Sequence, residues 1–462
     1  MMLKKGACER ALEKAISSGG DFAEVFYEDT RRSRLSQTDD KVDVATAGRI
    51  HGAGLRVYKG TNSVYVYTND TSDKGLMELA ERAKDAIGTE CANGKTIHLT
   101  GSIVKNIHGI ELLPMDVPGE ERVKIIKEAC KVVKAYNSEI SQASAALWDW
   151  EQNVTIANTE GMFKSDRRVY SRMMVRAVAS GNGENQTGAE SPGAMKGFEF
   201  FKNDVDIAEI SKVAAQRAIT MLHADQCPAG VMPVVIDGGF GGVIFHEACG
   251  HSLEATSVAY GNSEFAGKLG QQIASPIVTA IDDGTIAGEW GSENIDDEGN
   301  PTTKLVLIEN GILKNYMIDR LNGRKMNMPV TGNGRRENYA YAPTSRMRNT
   351  YIAAGSHDEG EIIASCADGL YAKVMGGGSV NPLTGEFNFA VGEGYLIKNG
   401  KIDRPVRGAT LIGKGGQTLM KIDRVGKKMW MAQGMCGSSS GSVPTNVGQP
   451  MIRVTDMTVG GR

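Results

Sequence analysis

The chain has 462 residues, 41% of them hydrophobic and 23% charged, which fits folded domains and excludes wholesale disorder. Net charge is −3, with no basic tract to follow nucleic-acid phosphates and no polybasic patch for a membrane surface. Seven scattered cysteines (Cys8, Cys91, Cys130, Cys227, Cys249, Cys366 and Cys436) form no CxxC pair, which argues against a disulfide framework and for a reducing cytoplasm.

The N-terminal stretch MMLKKGACERALEKAISSGG lacks the apolar core of a signal peptide and predicts an amphipathic helix stopped at Gly19-Gly20. No later run is long and apolar enough for a membrane span. FAEVFYED predicts a strand, and RIHGAGLRVYKG with NSVYVYTND predicts a hairpin or meander. LMELAERAKDAIG is helical in period, with Gly88 near its end. These elements make a first α+β unit, residues 1–115.

A second unit, residues 116–226, opens with the helix PGEERVKIIKEACKVVKAYN, acidic in its first turn after Pro118. Two strand-like stretches follow, EISQASAALWDWEQNVTIAN and RRVYSRMMVRAVASGNGENQTG, then the helix VDIAEISKVAAQRAITML. The boundary between the first two units stays open. From residue 227 to 462, short β runs alternate with glycines, as in VMPVVID, TKLVLIENGILKNYMID, GEGYLIKNGKID and PMIRVTDMTVGG. The predicted class is α+β: an α/β sandwich-like N-terminal region, then a curved antiparallel β domain that carries a metal-site helix.

The chemistry concentrates in GGFGGVIFHEACGHSLEA, residues 238–255. A buried-type strand leads into a glycine turn, and a helix from Val243 carries His246, Glu247 and His251. Two imidazoles, a third ligand and a neighbouring carboxylate make the usual hydrolytic zinc site. The spacing is HExxxH, one residue longer than the common zinc helix. Residues four apart lie about 40° apart around a helix, whereas residues five apart lie about 140° apart. The helix must therefore widen into a π-type turn or end before His251, and Gly250 marks the easiest place for a break. Spacing leaves three candidates for the third ligand: Cys249, Glu254 or a distant residue.

Further along, GNGRRE offers Asn333, Arg335 and Arg336 as a substrate clamp or oxyanion donors, or as a solvated turn. Gly376 to Asn381, including Gly377 and Gly378, is a place for close backbone approach by a substrate, or a plain turn. IDDEG reads as turn chemistry.

The segments HEACGHSLEA, NIDDEGNP, VLIENGILKNYM, TGNGRRE, GATLIGKG, MCGSSSGSVPTNVGQP and DMTVGG, in this order, resemble the TldD/PmbA family of metallopeptidases on its metal-bearing TldD side. The resemblance implies that His246, His251 and Cys436 hold Zn2+ and that Glu247 is the general base. It also demotes Cys249 to packing and makes Glu254 a supporting or structural residue. It implies short or unfolded peptides as substrates, held by main-chain contacts in a dimeric chamber. The companion is a second copy or a metal-less PmbA/TldE-like paralogue, with no nucleic-acid or membrane partner. The other functional classes compatible with the sequence are a noncatalytic peptide-binding subunit and a zinc amidohydrolase acting on a small non-peptide amide.

Overall fold

The computed structural model describes residues 3–88 and 95–461; Cys91 lies outside the described residues. The N-terminal half is one long twisted sheet with helices on one face. Its main strands are β1 (Phe22–Thr38), β2 (Lys41–Lys59), β3 (Asn62–Thr68), β4 (Ile140–Asn158) and β5 (Met162–Gly181). The order β3-β2-β1-β4-β5 is antiparallel throughout, so both predicted N-terminal units share a single sheet. The seam is extensive: β1 pairs with β4 from Glu24↔Asn158 to Thr38↔Ser144.

Alternation decides the two faces of this sheet. Ala23, Val25, Leu55 and Val57 pack under helices α1 (Lys5–Ile16) and α2 (Asp73–Ile87). Ala143, Ala145, Leu147, Met173 and Val175 pack under α3 (Gly119–Tyr136) and α4 (Ile207–Leu222). The helix ends follow local chemistry: Gly19 after α1 has φ +95°, and the Ser72 and Asp206 side chains accept backbone N–H groups at the starts of α2 and α4. Residues of the opposite face, such as Glu24, Arg56 and Arg168, meet the C-terminal unit.

That unit is built on β6 (Gly230–Ile236), β7 (Asn349–Ile352), β8 (Asp368–Val380), β9 (Glu386–Lys398), β10 (Thr410–Lys414), β11 (Trp430–Ser438), β12 (Gly441–Gln449) and β13 (Ile452–Gly460). The ring β8-β6-β13-β10-β9 closes where β9 pairs with β8, giving a small barrel. It is antiparallel except for β6 on β8. Pro233, which has no N–H to give a ladder, sits at the register shift between Met232 and Val234. A second sheet runs through β7, β12 and β11, with β11 at its edge. The metal-site segment packs between barrel and sheet in one core with Val234, Ile236, Met347, Phe389 and Leu411. The mixed α and β character read from the sequence is the character of the fold. Among the described residues, six cysteines are free and buried, and no helix is long and apolar enough to cross a membrane.

Candidate metal centre

After β6 the chain turns through four glycines. Gly239 has φ +65°, a conformation side chains resist. A Cβ on Gly242 would lie 2.5 Å from the Gly448 backbone nitrogen, so this glycine lets the turn press against β12. A 3-10 turn over Gly239–Gly242 leads into α-helical geometry at Val243. The helix widens into a π-turn over His246–Gly250 and tightens to 3-10 geometry over His251–Leu253. The His251 N–H donates to the His246 carbonyl, the i→i+5 bond that stacks residues five apart. The widening demanded by HExxxH is therefore present. Its cause differs from the expected break at Gly250, whose backbone is ordinary helix at φ −54° and ψ −53°. That glycine is needed for space, because a Cβ there would lie 2.2 Å from Met347 Sδ.

Cys436 arrives from β11, opposite Val443 on β12. One ligand atom from each of His246, His251 and Cys436 lies within 4.8 Å of the other two. Cys436 Sγ is 3.5 Å from His251 Nε2, and the two imidazole rings meet edge to face at 5.0 Å. Among the described residues this is the one group of histidine, cysteine or carboxylate side chains close enough to share an ion. Cys249 is fully buried in the core, and burial pushes its thiol well above the ordinary value. Burial also opposes ionisation of Cys436, yet the neighbouring His246 and His251 hold its thiol well below the ordinary value. For His251, burial works against the charge, but Glu254 and Cys436 outweigh it and raise the imidazole well above its usual range.

Glu254 Oε2 lies 3.0 Å from His251 Nδ1 and leaves Nε2 turned towards Cys436. Carboxylates in this position fix the tautomer and ring orientation of a ligating histidine. Glu254 Oε1 in turn accepts the Met347 N–H at 3.3 Å. Glu247 Oε2 is 3.7 Å from His251 Nε2, and its side chain keeps 23% of its surface exposed. The donor set suits a small tetrahedral cation: two imidazoles and one thiolate-prone cysteine converge, with a carboxylate at the margin. His246 Nδ1, buried without a hydrogen-bond partner, is consistent with a group missing from the protein's own bonding.

Sequence reasoning did not single out Arg346 or Trp290. Arg346 is fully buried; it donates to the Cys436 carbonyl, to Ser440 Oγ at 2.9 Å and to the Gly441 carbonyl at 2.8 Å. Its Nε is 3.9 Å from Glu254 Oε1, so one guanidinium spans the supports of two candidate ligands. Trp290 Nε1 donates to the Gly434 carbonyl at 2.8 Å, two residues before Cys436. The only trace in sequence is the alternation of arginines in SRMR, residues 345–348.

The donors expected to clamp substrate are engaged inside the protein. Asn333 Nδ2 donates to Asp282 and to the Arg346 carbonyl. Arg335 donates to the Met347 carbonyl and Glu293, and Arg336 to Glu24 and the Asp297 carbonyl. Arg336 on Glu24, Arg168 on Asp297 and Arg56 on Glu298 tie the C-terminal unit to the N-terminal sheet, whereas the Asn333 and Arg335 bonds stay within the C-terminal unit. The acidic run is a turn in which Asp296 Oδ1 accepts the N–H groups of Glu298 and Asn300. Gly377 and Gly378 lie exposed in an irregular part of β8, where the register with β9 shifts between Met375 and Gly378. A Cβ on Gly377 meets nothing, whereas one on Gly378 would strike the Asn388 carbonyl.

The PmbA/TldA metallopeptidase C-terminal domain profile matches residues 229–461, the central-domain profile residues 113–222, and the domain 1 profile residues 23–87. The metalloprotease TldD homolog of Haemophilus influenzae is 35% identical over 460 residues, covering 96% of this chain and 93% of that one. The zinc metalloprotease TldD homolog of Saccharolobus solfataricus is 27% identical and covers 97% and 99%. The solved structure of TldE from Thermococcus kodakarensis shares the fold, with a TM-score of 0.77 at 17% identity and coverage of 98% and 100%. Identity at this level along nearly the whole chain, together with profile matches to all three domains, makes the chain a TldD-like member of the PmbA/TldD metallopeptidase family.

Proposed function

We propose that this metallopeptidase is a zinc peptidase in which His246, His251 and Cys436 hold the metal and Glu247 is the general base. The observation that carries the reading is the convergence within 4.8 Å of two histidines of one helical segment and a cysteine 185 residues further on, with Glu247 beside them. The zinc in the name of the Saccharolobus relative supports the choice of metal. When bound, zinc supplies Lewis acidity that polarises a scissile carbonyl and lowers the pKa of water.

The chain's own residues do the rest. Glu247, its side chain partly exposed, accepts the proton of the attacking water and passes it to the leaving nitrogen. Glu254 holds the His251 ring, and Arg346 holds the hairpin that presents Cys436. An intact donor set favours catalysis over a purely binding role.

The substrates in this reading are short or unfolded peptides, gripped through their main chain within a dimeric chamber. The companion is a second copy or a metal-less PmbA/TldE-like paralogue, a pairing supported by the shared fold with TldE. Free cysteines suit a cytoplasmic location.

The test is elemental analysis and peptide digestion on one preparation, before and after chelation. The expected result is about one zinc per chain and mass-identified cleavage of an unstructured polypeptide, lost on chelation and restored by zinc. Cleavage that persists without metal, or hydrolysis confined to small non-peptide amides, overturns the reading.

A further inference from the structure

The sheet face turned away from the helices carries a cleft that the metal chemistry does not use. In the register of β1, β4 and β5, Arg34 lies beside Trp148 and Trp148 beside Arg172. Two residues along each strand, on the same face, Arg32 lies beside Trp150 and Trp150 beside Tyr170. Met435 of β11 lines the other side, and the open cleft has a volume of about 830 Å³. Met435 is 48% exposed, whereas its neighbour Cys436 is 5% exposed. Successive strand residues point to opposite faces, so the cleft and the candidate metal ligand lie on opposite sides of one hairpin.

The cleft holds more cation than its own anions neutralise. Its carboxylates are committed: Asp149 to Arg122, Glu293 to Arg348 and Arg335, and Glu337 Oε2 to the Ser442 N–H at 2.9 Å. Arg168, Arg335 and Arg336 are likewise ion-paired. Arg32, Arg34 and Arg172 have no ion pair among the described residues, and Arg32 Nε is buried without a hydrogen-bond partner. Aromatic faces and neutral oxygens hold two of them instead. Arg34 stands 5.5 Å over Trp148 and Arg172 stands 5.2 Å over Trp290. Arg172 also donates to Ser191 Oγ at 3.0 Å and to the Gln433 carbonyl at 3.3 Å. Burial draws the Arg172 guanidinium below its ordinary value, the direction expected for a cation short of an anion. Guanidinium forks match carboxylates in two-point hydrogen bonding.

Resting on the peptidase reading, we infer that this cleft is a subsite for the carboxylates of an acidic peptide segment, which sits against Trp148 and Trp150. Three cations over two rows suit a few carboxylates. A phosphodiester chain needs a longer basic track than three unpaired arginines make.

The experiment is a tryptophan-fluorescence titration of the full chain in a chelator, so that no peptide is cut. The probes are an amide-capped Glu-rich peptide, its capped Gln counterpart, the Gln peptide with a free C-terminus, and oligothymidylate. The capped Glu peptide is expected to bind at least about tenfold tighter than the capped Gln peptide, with the gap shrinking as salt rises. The double variant Arg32→Gln, Arg34→Gln, with unchanged circular dichroism, is expected to lose that preference. Binding of the free C-terminus through the same arginines also supports carboxylate capture and names the chain end as a source. Equal binding of Glu and Gln peptides, a preference that survives in the variant, or tighter binding of oligothymidylate overturns the inference. So does a variant that turns a dimer into a monomer while its peptide affinity is unchanged, since the cleft is then a contact between copies. Cleavage of the capped Glu and Gln peptides by zinc-loaded protein is read separately; absence of cleavage of both sinks the peptidase reading and leaves the binding result standing.

Discussion

Replacing Glu254 with glutamine isolates the support of His251 from its ligation. The carboxylate lies 3.0 Å from His251 Nδ1 and its side chain is 5% exposed, so water offers little replacement for the lost charge. Glutamine is nearly the same size and keeps an oxygen for the Met347 N–H, now 3.3 Å away. The change therefore removes one charge-assisted hydrogen bond, worth about 1.5–3 kcal/mol. Spent on orienting a ligand, that energy corresponds to a drop in zinc affinity of about 10–100-fold, the range typical for partners of metal-bound histidines. Competition against a chromophoric chelator measures the affinity, and thermal unfolding of the metal-free protein measures the fold separately. An affinity within about twofold of wild type would show that Glu254 does not orient a ligand and would refute the reasoning.

Cys436→Ala is expected to abolish stoichiometric zinc binding while Cys249→Ala retains it; elemental analysis showing the reverse would exchange the two roles. Gly250→Ala forces a Cβ towards the buried Met347 sulfur, and overpacking of this kind costs about 1–3 kcal/mol, read as a lower midpoint in denaturant. Gly242→Ala meets backbone of Gly448, which yields less than a methionine, so its loss is expected to be the larger. Burial raises Glu28 from 4.5 to about 7 against the smaller pull of Gln152 and Arg32. The folded state then holds that proton where the unfolded state has released it, so stability falls as pH rises from about 4.5 to 7. Glu28→Gln is expected to flatten that part of the stability–pH curve by up to about 3 kcal/mol; an unchanged slope would contradict it.

Local pattern carried much of this fold. The periods of α1 to α4 and the alternation in β1 to β5 are set by which residues face the helices, and those are visible in a short window. The pairing of β1 with β4 was not, because register between strands over a hundred residues apart is written in no local pattern. HExxxH narrowed the local geometry to a π-type turn or a helix end before His251, since two histidines five apart converge in few ways, and the π-turn is the one present. The third donor was different. Cys436 lies 185 residues beyond His251, and only family resemblance pointed to it, because spacing cannot report a contact made by a distant hairpin. The arginines of GNGRRE and SRMR show the same limit: an exposed pair and a buried ion-paired one have identical sequences until their carboxylate partners are in place.

The central claim is that Glu247 acts beside a zinc held by His246, His251 and Cys436, and Glu247→Gln tests it most directly. Zinc content and turnover of an unstructured peptide are measured on the same preparation of this variant. The account predicts zinc near the wild-type level, because the three ligands remain, with turnover lower by about 10²–10⁴-fold for want of a proton acceptor. Full zinc with near-normal turnover would contradict it and assign the base to another residue.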